Sequence, residues 1–351
     1  MATFLRHRAR FLGAFALALA VLSGFSGSAS AVGLGPMVNR QAYYNSEMTG
    51  VSCWSSSGCV AFGWYAPGNT RLALVLRTTD GGTSWKRVKL SIGANSVSCP
   101  SPSHCVAVGA KVLLTTDGGS RWTVMSVPDA GPNVDCPSRS VCFSGWAPGV
   151  KSTDGGRTWK TQSNKIAFET YGSINQISCP TTSVCYAATT GYLLRTANGG
   201  ASWTPLILPS TRNTMIWGVS CPTASSCGVV TGSGTFLRTT DGGKKWTRHS
   251  VGPQELTIVS CSSTFTCEVG GFTVSSASWA VYETTNGGNT WTPDGLPSPP
   301  ATNPNGNIQF LAGIQCYGGG TCMMVGQYPG TTAAIFKTTD GVDWTSQPVP
   351  L

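Results

Sequence analysis

Asp80 sits in the phrase TTDGGTSW (78–85), beside two glycines, among hydroxyls and ahead of a tryptophan. A carboxylate so placed could serve as a general acid or base, as a hard ligand for a metal ion, or as a hydrogen-bond acceptor in a turn. The chain offers little else for catalysis. It has 351 residues with only 14 acids and 3 histidines. A Ser-His-Asp arrangement is starved of histidine. Carboxylate-pair chemistry on a glycosidic bond needs two acids about 5–9.5 Å apart. Asp129, Glu169, Glu255 and Asp294 fall in segments of variable length and are the acids that could supply such a pair.

The role of Asp80 becomes clear when the phrase is followed along the chain. It returns as TTDGGSRW at 115, STDGGRTW at 152, TANGGASW at 196, TTDGGKKW at 239 and TTNGGNTW at 284, with a shortened TTDGVDW at 338. The acid positions are Asp80, Asp117, Asp154, Asn198, Asp241, Asn286 and Asp340. An amide oxygen accepts hydrogen bonds as a carboxylate does but has no acid–base chemistry. Asn198 and Asn286 therefore argue for a turn role at all seven positions. One acid per box is also a thin supply of hard ligands for calcium. Neither a metal nor a cofactor is expected, and no catalytic residue is assigned.

The 14 cysteines keep the same rhythm. They fall into seven pairs, each with five residues between partners: Cys53/Cys59, Cys99/Cys105, Cys136/Cys142, Cys179/Cys185, Cys221/Cys227, Cys261/Cys267 and Cys316/Cys322. Each pair precedes one box, and the mean period is about 44 residues, in the range of propeller blades. In an exported chain such pairs read as disulfides, here bracketing the turn of a hairpin.

One unit reads as four strands. In the second, NSVSC, CVAVG, KVLLTT and WTVMSV are separated by the turn-forming PSPSH and DGGSR. The expected fold is all-β: a seven-bladed β-propeller of four-stranded antiparallel blades with one hairpin disulfide per blade. A solenoid would want capping ends, which the termini do not show. With 44 Gly, 21 Pro and 11% charged residues, the composition suits strands and turns.

The N-terminus reads as a secretory signal over residues 1–31. Arg6, Arg8 and Arg10 precede an apolar run from Phe11 to Phe25, and Ala29-Ser30-Ala31 suits cleavage. The run is short for a membrane span, so the mature chain is expected to be secreted and to carry none. Residues 32–49 form a lead-in that could pair with the last blade, and residues 50–351 form the propeller. Losing residues 1–31 lowers the formal charge from +9 to +6, with no dense basic run, so nucleic acid is not an expected partner.

The repeated Ser/Thr-x-Asp-Gly-Gly-x-x-Trp phrase resembles the Asp-box, or BNR, repeat of sialidase-like propellers, over essentially all of residues 50–351. The Thr-Thr-Asp-Gly-Gly-x-x-Trp form is most similar to the photosystem II stability/assembly factors and their bacterial relatives. The regular cysteine pairs depart from that group's pattern. The resemblance also covers sialidases, oligoxyloglucan-type glycosidases and sortilin-like receptors. No Arg-Ile-Pro phrase or arginine triad of a sialidase is found.

Alternating strand direction puts the cysteine turns and the boxes on one, nearly constant face. The opposite face carries loops of variable length, where binding is expected. Candidate contacts there or towards the channel are Trp64, Tyr65, Trp146, Tyr171, Trp217, Trp279 and Tyr328, whose rings suit sugar stacking or peptide anchoring. The basic residues just before five boxes, Arg77, Lys151, Arg195, Arg238 and Lys337, read as equivalent third-strand surface positions. The reading is a secreted, monomeric, non-catalytic propeller that binds a protein or glycan partner. The resemblance adds two alternatives: a membrane-complex assembly factor of the photosystem II type, and a glycoside hydrolase.

Overall fold

The computed structural model describes residues 45–67, 70–126, 131–145, 149–162, 174–209, 214–252, 254–273, 278–297, 310–318, 320–328 and 332–351. Their regular structure is 28 β-strands, with no helix among the described residues. The strands form seven four-stranded antiparallel sheets. Blade one is β1 (Asn45–Cys53), β2 (Cys59–Ala66), β3 (Leu72–Thr78) and β4 (Lys86–Val88). Each later blade repeats the pattern with four consecutive strands, ending with β25 (Phe310–Cys316), β26 (Cys322–Tyr328), β27 (Thr332–Thr338) and β28 (Thr345–Gln347).

The period-two geometry of a strand explains why the blades stack. In β2, Ala61 packs towards blade seven with Met323, Val325 and Ile335, while Val60 and Phe62 pack towards blade two with Val97, Ala107 and Leu113. Both faces of each inner strand are thus buried, which is why the strands read as continuous apolar runs. The core is seven such clusters, one per seam.

All 14 cysteines form the seven expected disulfides: Cys53–Cys59, Cys99–Cys105, Cys136–Cys142, Cys179–Cys185, Cys221–Cys227, Cys261–Cys267 and Cys316–Cys322. None is free among the described residues. Their Cα atoms stand 3.9–4.1 Å apart, closer than the 4.5–5.5 Å of facing antiparallel residues. They bracket the turn between the first and second strands, as expected, and their burial goes beyond that reading. Each second cysteine opens the second strand of its blade and faces inward. Cys59, Cys105, Cys142, Cys185, Cys227, Cys267 and Cys322 are only 0–3% exposed and belong to the seam clusters. The second cysteine of every bridge is core, while Cys261 and Cys316 also border the channel. The turn stays outside while its closing sulfurs are drawn in, because the inner strand is buried on both faces.

Ring closure uses no exchanged strand: every sheet is built from four strands consecutive in sequence. Blade seven instead reaches blade one through side chains. Gln327 Nε2 donates to the Ser46 carbonyl at 2.9 Å, and the Ala333 amide donates to Ser46 Oγ at 2.8 Å. Residues 32–44 of the lead-in lie outside the described residues, and residues 45–49 belong to β1, which pairs with β2 of blade one and not with a strand of the last blade.

Candidate functional site

Six of the boxes share one geometry, and the shortened seventh keeps the Thr338–Asp340 bond but takes the amides of Gly341, Val342 and Asp343 instead. Thr78 Oγ donates to Asp80 Oδ1 at 2.7 Å and accepts the Gly82 amide at 2.9 Å, while Asp80 Oδ1 accepts the Ser84 amide at 2.9 Å. Gly81 and Gly82 hold φ of 71° and 90°, which a side chain would strain. Bonds from the Ser84 hydroxyl, the Ser84 amide and Thr78 hold the Asp80 carboxyl down at about 2. It stays ionised and fully committed to the turn.

Asn198 shows what the position requires. Its Oδ1 accepts Thr196 Oγ at 3.0 Å and the Ser202 amide at 2.8 Å. Its Nδ2 donates to Ser202 Oγ at 2.8 Å, where Asp80 instead accepts from the Ser84 hydroxyl. Asn286 does the same with Thr290. The hydroxyl reverses its role and the turn is unchanged.

The basic residues before the boxes are latches between blades. Arg77 Nε donates to the Gly118 carbonyl of the next box at 2.6 Å, and Lys151 Nζ to the Gly199 carbonyl at 2.8 Å. Arg238 Nε reaches the Thr264 carbonyl of blade six at 3.2 Å. Arg195 acts through Tyr186, whose hydroxyl donates to the Ala224 carbonyl of blade five. Lys337 brings its ammonium against Gly81. Sequence spacing shows the equivalence of these residues but not their purpose, because the carbonyl each one finds belongs to another blade.

The channel wall is tied by a second ring. The residue before each first cysteine accepts the amide of the next blade's first cysteine. Ser52 takes Cys99, Ser98 takes Cys136, Asp135 takes Cys179, Ser178 takes Cys221, Ser220 takes Cys261 and Ser260 takes Cys316, at 2.6–3.0 Å. Gln315 closes the ring on Cys53. The channel encloses about 350 Å³. Its polar lining is largely occupied in holding the blades together. Asp135 is the one carboxylate in the ring; burial pushes it up to about 6, against the bonds from Cys179 and Ser98.

The predicted aromatic contacts fare differently. Trp217 lines the channel, as its position implies. Trp64 and Tyr65 lie at the variable-face end of β2, half-buried, each covered by a guanidinium: Arg71 stands 4.6 Å over Trp64 and Arg87 4.1 Å over Tyr65. Trp279 is on a strand, not in a loop: it belongs to β23 (Ser278–Thr284) and packs edge-on against Phe272 at 5.7 Å. Tyr328 is blade core, 3% exposed, against Phe336 at 5.5 Å. The rule that a ring near a loop reaches solvent fails here because β26 runs on to residue 328. Trp146 and Tyr171 lie outside the described residues.

Among the acids, Asp129 and Glu169 also lie outside the described residues. Asp294 is turned inward, its Oδ2 accepting Trp344 Nε1 at 3.1 Å. No group of three or more His, Cys, Asp or Glu among the described residues is placed to hold a metal ion.

The open apolar surface is elsewhere. Between blades four and five, on the variable face, a recess of about 930 Å³ is lined by Tyr192, Pro205, Leu206, Ile207, Leu208 and Met215, with threonines 190 and 214 at its edge. Ile207 is 93% exposed, Tyr192 44% and Met215 41%. Among the described residues no charged side chain lines it. A search for tryptophans passes over it, because its payload is one tyrosine and aliphatic side chains in the link from β16 (Thr204–Leu206) to β17 (Ile216–Ser220). The signal was present in the sequence as an unalternated apolar run, PLILP, in a connecting segment.

The model of the family described as photosynthesis system II assembly factor YCF48 matches residues 149–254. No curated protein matches the chain in sequence. Among solved structures, YCF48 from Cyanidioschyzon merolae superposes with a TM-score of 0.61 at 17% identity, covering 81% of this chain and 93% of that one. YCF48 bound to a D1 peptide gives 0.59 at 17% identity, with 81% and 91% covered. A GH74 xyloglucanase from Xanthomonas campestris gives 0.67 at 13% identity; it matches 86% of this chain and only 55% of its own length. At such identities the likeness is one of fold. The chain is a seven-bladed β-propeller whose repeats are similar to those of the YCF48 assembly factors, and it carries one disulfide in every blade.

Proposed function

We propose that this is a secreted, non-catalytic propeller that captures a protein segment through its variable-loop face, at the recess between blades four and five. The observation that carries the reading is the exposure of Ile207, Tyr192 and Met215 around a recess whose described residues are uncharged. Exposed apolar surface on a rigid scaffold marks a contact site. A glycan would want amides and carboxylates beside the rings, and the described residues of that lining include neither. Hydrolysis has no support there either, since no carboxylate or histidine is among the described residues of the recess. Seven disulfides suit an oxidising compartment, in keeping with the signal-like N-terminus. The propeller fold shared with YCF48, which is known bound to a D1 peptide, is compatible with peptide capture.

The test is selection from a random peptide display library against the full mature chain. Peptides with apolar anchors should be enriched on the native protein and on Trp64→Ala, and lost on Ile207→Asp with Met215→Asp. Equal enrichment on the double variant would place binding elsewhere, and turnover of xyloglucan or a sialoside by purified protein would overturn the non-catalytic reading.

A further inference from the structure

The seam between blades six and seven departs from the others in three ways. The latch position before the box is a cation in five blades and Glu283 in blade six. The residue after the second cysteine, apolar as Val60, Val106, Phe143 and Met323 in other blades, is Glu268. The seventh box is one residue short, and its Gly341 is approached by both Glu283 and Glu268, either of which would crowd a Cβ there. Asp294 completes the group, within hydrogen-bonding reach of Glu268. Glu268 is 2% exposed; its Oε2, like Asp294 Oδ1, is buried without a hydrogen-bond partner.

Unshielded buried carboxylates side by side are costly unless one holds a proton, which then bridges the pair. The surrounding groups offer no other counter-charge. Opposite Glu268 on β21 (Gln254–Cys261) is Ser260, already engaged as acceptor for Cys316. The seventh box contributes Asp340 and Asp343, both acids, and Trp344, whose indole N–H is bonded to Asp294. Lys337 of β27 reaches the other way, to Gly81 of blade one. No ion pair reaches the three carboxylates among the described residues.

We propose that a proton shared by Glu268 and Asp294 takes the place of the cationic latch at this seam, so that the ring is tight in acid and loosens between blades six and seven as the pH rises. Burial, then the neighbouring carboxylates, push Glu268 up; burial likewise raises Asp294 and Glu283. An acid raised on folding stabilises the fold fully below its unfolded value, and that stabilisation is lost as the pH climbs through the folded one. The window therefore opens above the ordinary carboxylate range and extends through neutrality. The device would let compartment pH set the rigidity of one seam of an otherwise stapled ring.

The experiment is thermal unfolding of the full mature chain at pH 5 and pH 8, in an Asp135→Asn background that removes the other raised carboxyl. The parent should lose about 4 °C or more over that range. Glu268→Gln, whose amide donates to Asp294 without a titrating proton, should lose clearly less. Glu283→Lys, which restores the cation, should gain most at pH 8. Infrared spectra of the parent at pH 7 should show a carboxylic-acid C=O stretch that Glu268→Gln removes. Parallel melting curves for the parent and both variants, or no acid band at pH 7, would overturn the proposal.

Discussion

Gln315 Oε1 accepts the Cys53 amide at 2.9 Å, joining residues 262 apart in sequence and completing a ring of seven bonds around the channel. Six of those bonds use a serine or Asp135, and the last needs the longer glutamine. Its Nε2 also returns to the Cys53 carbonyl at 3.3 Å, so the closing link is double. Losing an acceptor from a partly buried amide costs about 1–3 kcal/mol. Gln315→Ala should therefore lower unfolding stability by about that much in urea titration. Ser220→Ala, which frees Cys261, should cost a similar amount, because a closed ring has no end blade. A much larger loss at Gln315 would mean that the last seam carries the ring.

The boxes supply a sharper contrast. Thr78 is buried and its hydroxyl holds both Asp80 and the Gly82 amide. Thr78→Val keeps the shape and leaves that amide unpaired, so a loss of about 1–3 kcal/mol is expected. Asp80→Asn should be nearly neutral, because Asn198 and Asn286 already fill the same role with the neighbouring hydroxyl turned round. The two variants are to be compared by chemical denaturation. A large effect of Asp80→Asn with intact folding would reopen a chemical role for the carboxylate.

Asp135 makes a prediction about pH. Burial raises its carboxyl to about 6, from an ordinary 3.8. Its contribution to stability is therefore complete below about 3.8 and is lost as the pH rises through 6. Asp135→Asn keeps an oxygen for the Cys179 amide and removes the titration, so the melting temperature should vary less between about pH 4 and 7. The box acids work in the other direction. Asp80 and Asp340 are held at about 2, Asp340 mainly by the amides of Asp343 and Val342, so their contribution is present above 3.8 and lost as the pH falls towards 2. The melting temperature should peak in mild acid. A maximum above about pH 7 would contradict the assignment of Asp135, and stability undiminished between pH 3.8 and about 2 would contradict that of the box acids.

The repeat carries the fold in plain view. Seven boxes and seven cysteine pairs give blade number, strand order and disulfide pairing, because each is a local relation within one blade. The turn role of Asp80 is legible for the same reason, once Asn198 and Asn286 stand beside it. What joins the blades is not legible. Arg77 and Gly118, or Ser52 and Cys99, are partners only after the ring has brought blade edges together. The burial of Cys105 or Cys227 is hidden for the same reason: a neighbouring blade has to cover it. The candidate site suffers most. Tyr328 reads like Tyr65 in sequence, yet one is buried against Phe336 and the other lies under Arg87 at the face. Ile207 lies in the apolar run PLILP, which reads like core, and only its exposure distinguishes it.

The disulfides also position the boxes, a link that the spacing alone does not reveal. The first box glycine of a blade donates its amide into the cysteine turn of the same blade: Gly81 to Ser57, Gly118 to Ser103, Gly155 to Ser140, Gly199 to Ser183 and Gly242 to Ser225, at 2.8–2.9 Å. Closing one such short loop stabilises by roughly 2 kcal/mol in the chain-entropy treatment. The acceptor carbonyl is held inside that loop, so the loss on opening it should be concentrated at the box. Replacing Cys179 and Cys185 together by serine should cost at least about 2 kcal/mol overall, the hydroxyls placed in the buried cluster adding to the loop term, and speed hydrogen exchange at the Gly199 amide far more than at Gly81, three blades away. Exchange rising equally at both glycines would show that the staple acts on the whole ring and not on its own blade.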